Sequence, residues 1–225
     1  MRTPRHRPRP RLVPRFTRAE RAIHLTTALL MLVCLMTAAI LYNGTFSIAI
    51  GNRRIIELIH VGCGFALPVP MLLGLVSVAY RADLRRLNRL GPTDWAWLRS
   101  RTRRDGSLPV GKFNAGQKLN AALTAGAIFV LLGTGSLMFF TDLTALWVRT
   151  GATLMHDWFA VALGLLIAGH IVFALKDPVA RRGMRTGRVP LTWAQAEHGA
   201  WAAEFATRDE LAESEPPDPL ESSAR

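Results

Sequence analysis

Long uncharged apolar runs alternate with short polar connections along this chain. Ile23–Tyr42, Leu58–Tyr80 and Leu119–Thr141 carry no charge, and Thr150–Leu175 carries one, Asp157. About 20 apolar residues cross a hydrocarbon layer roughly 30 Å thick. A helix of a soluble bundle keeps one wet face at helical period, and these runs show none. The pattern predicts an all-α protein, an integral membrane four-helix bundle, with spans over about 22–42, 56–80, 117–141 and 151–175. Around it, residues 16–205 form the membrane domain. The Pro- and Arg-rich stretch 1–15 and the acidic stretch 206–225 lack a packing pattern and are expected to be disordered tails.

Smaller elements follow from local signals. Pro68 and Pro70 interrupt the second span and predict a kink there. In the middle loop, 81–114, "GPTDWAWLRSR" reads as a short helix capped by Thr93 or Asp94, with Trp95 and Trp97 as interfacial anchors. Residues 190–205 are expected to form a surface helix. Gly62 and Gly64 flank His60; close helix packing is the simpler role for them, and a flat macrocycle is the alternative neighbour.

The net charge of +12 first suggests nucleic acid, but its distribution points elsewhere. Eight arginines precede the first span, nine Lys/Arg fall in Arg81–Lys112, and five in Lys176–Arg188. The other two connections hold only Arg53, Arg54 and Arg149. Cytoplasmic loops collect Lys and Arg, so both termini and the middle loop are expected inside. The basic rim suits anionic lipid head groups and needs no nucleic acid. The first run is too long for the apolar part of a signal peptide and is read as a span. Cys34 and Cys63 lie inside spans, with no C-x-x-C-H for covalent heme and no cluster for iron–sulfur.

The chemistry lies in the histidines. Of six, His24, His60, His156 and His170 fall within the spans, where ionisable groups are costly and usually functional. With the topology above, His60 and His156 share an outer level, and His24 and His170 an inner one. On the fourth helix the fourteen residues from His156 to His170 rise about 21 Å and return the side chain to within roughly 40° of its first direction. Two levels of two histidines suit two bis-histidine hemes. Zinc would want three or four ligands at one point, and a proton relay a chain of carboxylates. A heme-free anchor or transporter, with histidines that only bridge helices, is the reading from a different class.

Several segments resemble one family. "VGKFNAGQKLN" at 110–120 is similar to the N-A-G-Q-K motif of the cytochrome b (gamma) subunit of respiratory formate dehydrogenases, a four-helix di-heme membrane cytochrome. "RFTRAERAIHL", "RRIIELIHVGCG", "LMHDWFAVALGLLIAGHI" and "DPVARRGMRTGRVPLTWAQAEHGAW" resemble its first, second and fourth spans and its cytoplasmic tail. The resemblance covers about residues 15–205. It implies two b hemes, the outer on His60 and His156 and the inner on His24 and His170. It implies electrons arriving from an iron–sulfur (beta) subunit, itself served by a molybdenum or tungsten subunit, and leaving to menaquinone beside Asn114, Gly116 and Gln117, with His170 close by. The location it implies is the bacterial inner (plasma) membrane. Leu25 stands where the family often has tryptophan, and the outer loop 43–57 shows no docking signature. A di-heme subunit of a hydrogenase, a thiosulfate reductase or another molybdenum oxidoreductase is the alternative parent. Substrate oxidation itself has no site in this chain. Lys112, Lys118, Arg18 and Arg21 read as inner-rim charges, with heme propionates as the second reading. Asp157 is either a partner of His156 or an outer proton group.

The charge asymmetry yields a direct test of topology. A reporter fused after Arg225 should be active only when the reporter functions in the cytoplasm; activity confined to one that functions outside contradicts the orientation.

Overall fold

The computed structural model describes residues 10–102 and 107–214, with side chains to 206. In chain order it forms β1 (Leu12–Pro14), α1 (Arg18–Tyr42), α2 (Gly44–Ile50), α3 (Arg53–Ala66), α4 (Pro68–Gly74), α5 (Val78–Leu87), α6 (Pro92–Arg99), α7 (Ala115–Phe139), α8 (Leu146–Lys176), α9 (Pro178–Thr186), β2 (Arg188–Pro190), α10 (Leu191–Glu197) and α11 (Gly199–Ser214).

Among the described residues four helical stretches are long and apolar enough to cross a membrane: α1, α3 with α4, α7 and α8. The protein buries at most 17% of the most apolar window of any of them, and 6% of that in α8. Helices so apolar and so little covered by protein need lipid around them, as the missing polar stripe foretold. This is an integral membrane protein. α1 packs on α3 and α7 on α8. The two hairpins meet in a small core of Met31, Cys34, Leu67, Ala127, Ile128 and Leu163. Leu163 stands midway between His156 and His170, so this core separates two levels of the bundle.

The second span differs from expectation at its end. It breaks at Leu67, where Pro68 and Pro70 cannot donate backbone bonds. It stops at Gly74, short of residue 80, because the chain turns through Leu75 and Val76 and restarts on the Ser77 cap of α5. Side chains of Ile23 and Tyr80 crowd Gly74, and a Cβ there would lie 2.7–2.8 Å from them. The short helix α6 forms as expected, but its cap is Gly91 and not Thr93 or Asp94, since Asp94 lies one turn in and accepts from the Gly91 amide at 2.8 Å.

The two tails are more ordered than expected. Residues 10–15 are not a loose tail, because Leu12–Pro14 pairs antiparallel with Arg188–Pro190, and Val13 and Val189 are buried. α10 and α11 are not a surface helix. Ala194, Trp201 and Ala202 close a second core with those valines, and α11 continues to Ser214. Residues 1–9 and 215–225, where the rest of each expected tail falls, lie outside the described residues.

Arg15 is the centre of this cap. Its guanidinium lies 4.8 Å from the Trp193 ring and 5.1 Å from that of Trp201, and it donates to the Lys112 carbonyl at 3.0 Å. Burial lowers its pKa to about 10, against the opposing pull of Asp177 and Asp83, so it stays charged at neutral pH.

Among the described residues two glycines adopt positive φ, Gly51 at 75° and Gly187 at 83°. Nothing approaches a Cβ at Gly51, whereas at Gly187 it would lie 2.5 Å from the Phe16 carbonyl oxygen. Gly51→Ala should therefore cost only the left-handed penalty of about 1–2 kcal/mol. Gly187→Ala should cost clearly more and loosen the β1–β2 pairing. Thermal unfolding in detergent checks this, and equal losses contradict it.

Candidate functional site

The fold brings the four span histidines together in two pairs. The rings of His60 (α3) and His156 (α8) face each other with centroids 6.2 Å apart and planes inclined by 68°. Those of His24 (α1) and His170 (α8) lie 6.3 Å apart, inclined by 50°. Neither separation allows a direct hydrogen bond between rings. An imidazole centroid sits about 3.1 Å from a metal bound at about 2.0 Å, a usual metal–nitrogen distance. Two imidazoles on opposite sides of one metal thus have centroids about 6.3 Å apart. Both pairs have this spacing.

The outer pair is held by hydroxyls on the neighbouring helices. Thr37 of α1 donates to the Val33 carbonyl at 2.7 Å, and its oxygen lies 2.9 Å from His60 Nδ1. Thr134 of α7 donates to the Val130 carbonyl at 2.8 Å and lies 3.0 Å from His156 Nδ1. A hydroxyl whose proton goes to a backbone carbonyl offers the ring an acceptor, so each Nδ1 carries the proton and each Nε2 keeps its lone pair. The Cys34 carbonyl, 3.2 Å from His60 Nδ1, supports the same tautomer. The hydropathy pattern does not single out these threonines. Their signal is a hydroxyl in an apolar run, 23 and 22 residues ahead of a histidine in the next span.

The inner pair is more open. Both rings are exposed in the protein alone, and among the described residues no protein group hydrogen-bonds either one. Thr27, one turn beyond His24 on α1, has a buried hydroxyl without a protein partner. At the outer level Gly64, one turn beyond His60, has no atom within 4 Å of where a Cβ would stand, so helix packing does not explain it; Gly62 is likewise open and is exposed. Gly135 does have a packing role, lying where a Cβ would come within 3.3 Å of the His156 ring. Paired free Nε2 atoms, spacing that admits one metal and uncovered apolar walls fit a flat iron macrocycle at each level. Among the described residues no group of three or more His, Cys, Asp or Glu could hold a bare ion.

The segment before α7 has a strong structural role of its own. Asn114 accepts from the Gln117 amide at 2.9 Å, and Gln117 accepts from the Asn114 amide at 3.0 Å, a reciprocal cap that leaves both side-chain NH₂ groups free of that exchange. Gly116 sits under Trp97, whose ring would be 3.2 Å from a Cβ there. Trp97 is therefore buried, unlike Trp95, and does not serve as an interfacial anchor. A cleft of about 240 Å³ beside this segment is lined by Asp94, Trp97, Gly111, Ala115 and Lys118 among others.

The lysines here are not rim charges. Lys118 pairs with Asp94 at 2.7 Å and donates to the Arg89 carbonyl at 2.9 Å. Lys112 is buried, bonded to Asp83 and 3.7 Å from Glu20, with Phe16 and Phe113 beneath it. Arg21 donates to the Arg185 carbonyl. His198, unassigned from sequence, is buried between Arg15 and the Gly111 carbonyl, 2.7 Å away. Burial and the facing Glu20 side chain push Asp83 up to about 6, against the pull of Lys112.

Comparison with known proteins finds a matching family and curated relatives. The family model described as prokaryotic cytochrome b561 matches residues 15–187. The cytochrome b556(Fdn) subunit of the nitrate-inducible formate dehydrogenase of Escherichia coli K12 is 32% identical over 111 residues. That match covers 47% of this chain and 50% of the relative, about half the relative's length. The same subunit of Shigella flexneri matches to the same extent.

The charge cluster under α7 generates a test. Lys112→Met leaves Asp83 and Glu20 buried without their cation, a loss of about 3–5 kcal/mol for a broken buried pair. Asp83's folded pKa lies above its ordinary 3.8, so its contribution to stability is full below that value and is lost as pH rises through about 6. Removing Lys112 raises that pKa further. The deficit of the variant should therefore be smaller near pH 5, where only the Glu20 pairing is lost, than near pH 8, where the Asp83 pairing is lost as well. Melting in detergent at both pH values checks this, and an equal deficit contradicts it.

Proposed function

This chain belongs to the prokaryotic cytochrome b561 family, a b-type heme family, and we propose that it is the di-heme cytochrome b subunit of a respiratory dehydrogenase, with formate dehydrogenase as the parent. The observation that carries this reading is the pair of facing imidazole pairs at 6.2 and 6.3 Å. His60 and His156 hold the outer heme, and His24 and His170 the inner. A heme bound this way supplies one-electron Fe³⁺/Fe²⁺ chemistry. The chain's residues hold the two groups at separate depths, exclude water with the Met31–Leu163 core between them, and, through Thr37 and Thr134, keep the ligating nitrogens of His60 and His156 deprotonated.

The partner that delivers electrons is an iron–sulfur (beta) subunit on the outer side, fed by a catalytic molybdenum or tungsten subunit. The acceptor is menaquinone at the inner level, beside Asn114, Gly116, Gln117 and His170. The Asn114 and Gln117 NH₂ groups can donate to a quinone carbonyl while their oxygens cap α7. Both termini lie in the cytoplasm of a bacterial cell, so electrons from outside and protons from inside meet at the quinone and separate charge. The formate parent rests on the curated relatives, whose subunit carries that name.

Two sets of variants test the reading. His60→Ala or His156→Ala should remove one heme and leave the other, whereas loss of both at normal protein abundance contradicts separate pairs. Asn114→Ala or Gln117→Ala should slow reoxidation by a menaquinone analogue at unchanged heme content, by on the order of 1–3 kcal/mol of binding. Normal reoxidation in both moves the quinone site elsewhere.

A further inference from the structure

The two histidine pairs are not equivalent in what surrounds them. At the outer level both rings are braced. Thr37 Oγ1 lies 2.9 Å from His60 Nδ1, and Thr134 Oγ1 3.0 Å from His156 Nδ1. Each hydroxyl proton is committed to a backbone carbonyl at 2.7 or 2.8 Å, so each oxygen points a lone pair at the ring. The arrangement repeats in the two hairpins, α1 with α3 and α7 with α8. At the inner level neither His24 nor His170 has a hydrogen-bonded protein partner among the described residues.

A hydrogen bond from Nδ1–H to an acceptor fixes the ring and makes Nε2 the stronger electron donor to a metal. Stronger donation favours the ferric over the ferrous state, and hydrogen bonding around the site is one of the protein's levers on heme potential.

Resting on the di-heme reading above, we propose that Thr37 and Thr134 are positioning residues that set the outer heme at a lower reduction potential than the inner one. Each couple takes one electron on Fe³⁺ to give Fe²⁺, with the imidazole bonds intact. An electron passing inward moves against the membrane potential, and a low outer and high inner potential drive that movement.

The test is an optical redox titration of the assembled complex in detergent, after the hemes of the parent have been counted. Two components should resolve in the parent. Thr37→Val and Thr134→Val keep shape but remove the hydroxyl. Each should shift the lower-potential component upward, the double variant further, and the upper component should stay in place. Thr37→Ser and Thr134→Ser should restore the parent value. The ferric low-spin EPR signal of the outer heme should also change shape in the Val variants, because its ring planes, inclined by 68°, lose their braces. A Val variant that loses one heme while its Ser counterpart keeps it supports the hydroxyl as the positioning group.

Two hemes with both components unmoved in the double Val variant overturn the proposal, as does a shift confined to the upper component or heme loss in Ser and Val alike. Fewer than two hemes in the parent instead removes the reading on which it rests.

Discussion

Imidazole in hydrocarbon is the constraint around which this bundle is organised. A polar ring there must find a partner, and His24, His60, His156 and His170 do not find one in each other across 6.2–6.3 Å. A metal shared by each pair, as proposed, would satisfy both Nε2 atoms at once. The helices are correspondingly loose, with most of the apolar surface of the spans uncovered by protein. With the proposed hemes in place the bundle would gain packing between its helices; its own buried cluster lies in the band around Leu163 that divides the two levels.

The end of the bundle that carries β1, β2, α10 and α11 depends on different interactions. There Arg15 stacks between Trp193 and Trp201 and reaches the backbone of Lys112, while His198 holds the Gly111 carbonyl. These contacts tie the chain's beginning and end to the segment that enters α7. Lys112, Asp83 and Glu20 lie buried beneath it, joining the starts of α1 and α7 to α5. The cap thereby fixes the depth of Asn114 and Gln117 against the bundle, which is the position at which the proposed quinone is bound.

The spans and the histidine pairing were legible because length, charge and depth are one-dimensional quantities. His60 and His156 could be paired from their distance to a span end, before any helix was placed against another. The cap was not legible, since Arg15 and His198 are 183 residues apart and a basic, proline-rich start looks like a tail. Trp97 read as an interfacial anchor because nothing in sequence shows that Gly116 leaves room beneath it. The second span read as six residues too long because Val76 and Val78 are apolar, yet the turn at Leu75 is set by the Ser77 cap. Thr37 and Thr134 lie at similar offsets of 23 and 22 residues ahead of a histidine, a signal that becomes meaningful only once the hairpins are paired.

The central claim is that each facing pair holds one b heme. The most direct measurement is a pyridine hemochrome assay on the purified chain with protein quantitation, followed by acid–acetone extraction. Two b-type hemes per chain are predicted, both extractable because no cysteine thioether can form. One heme per chain, none, or heme that stays with the protein after extraction would contradict it.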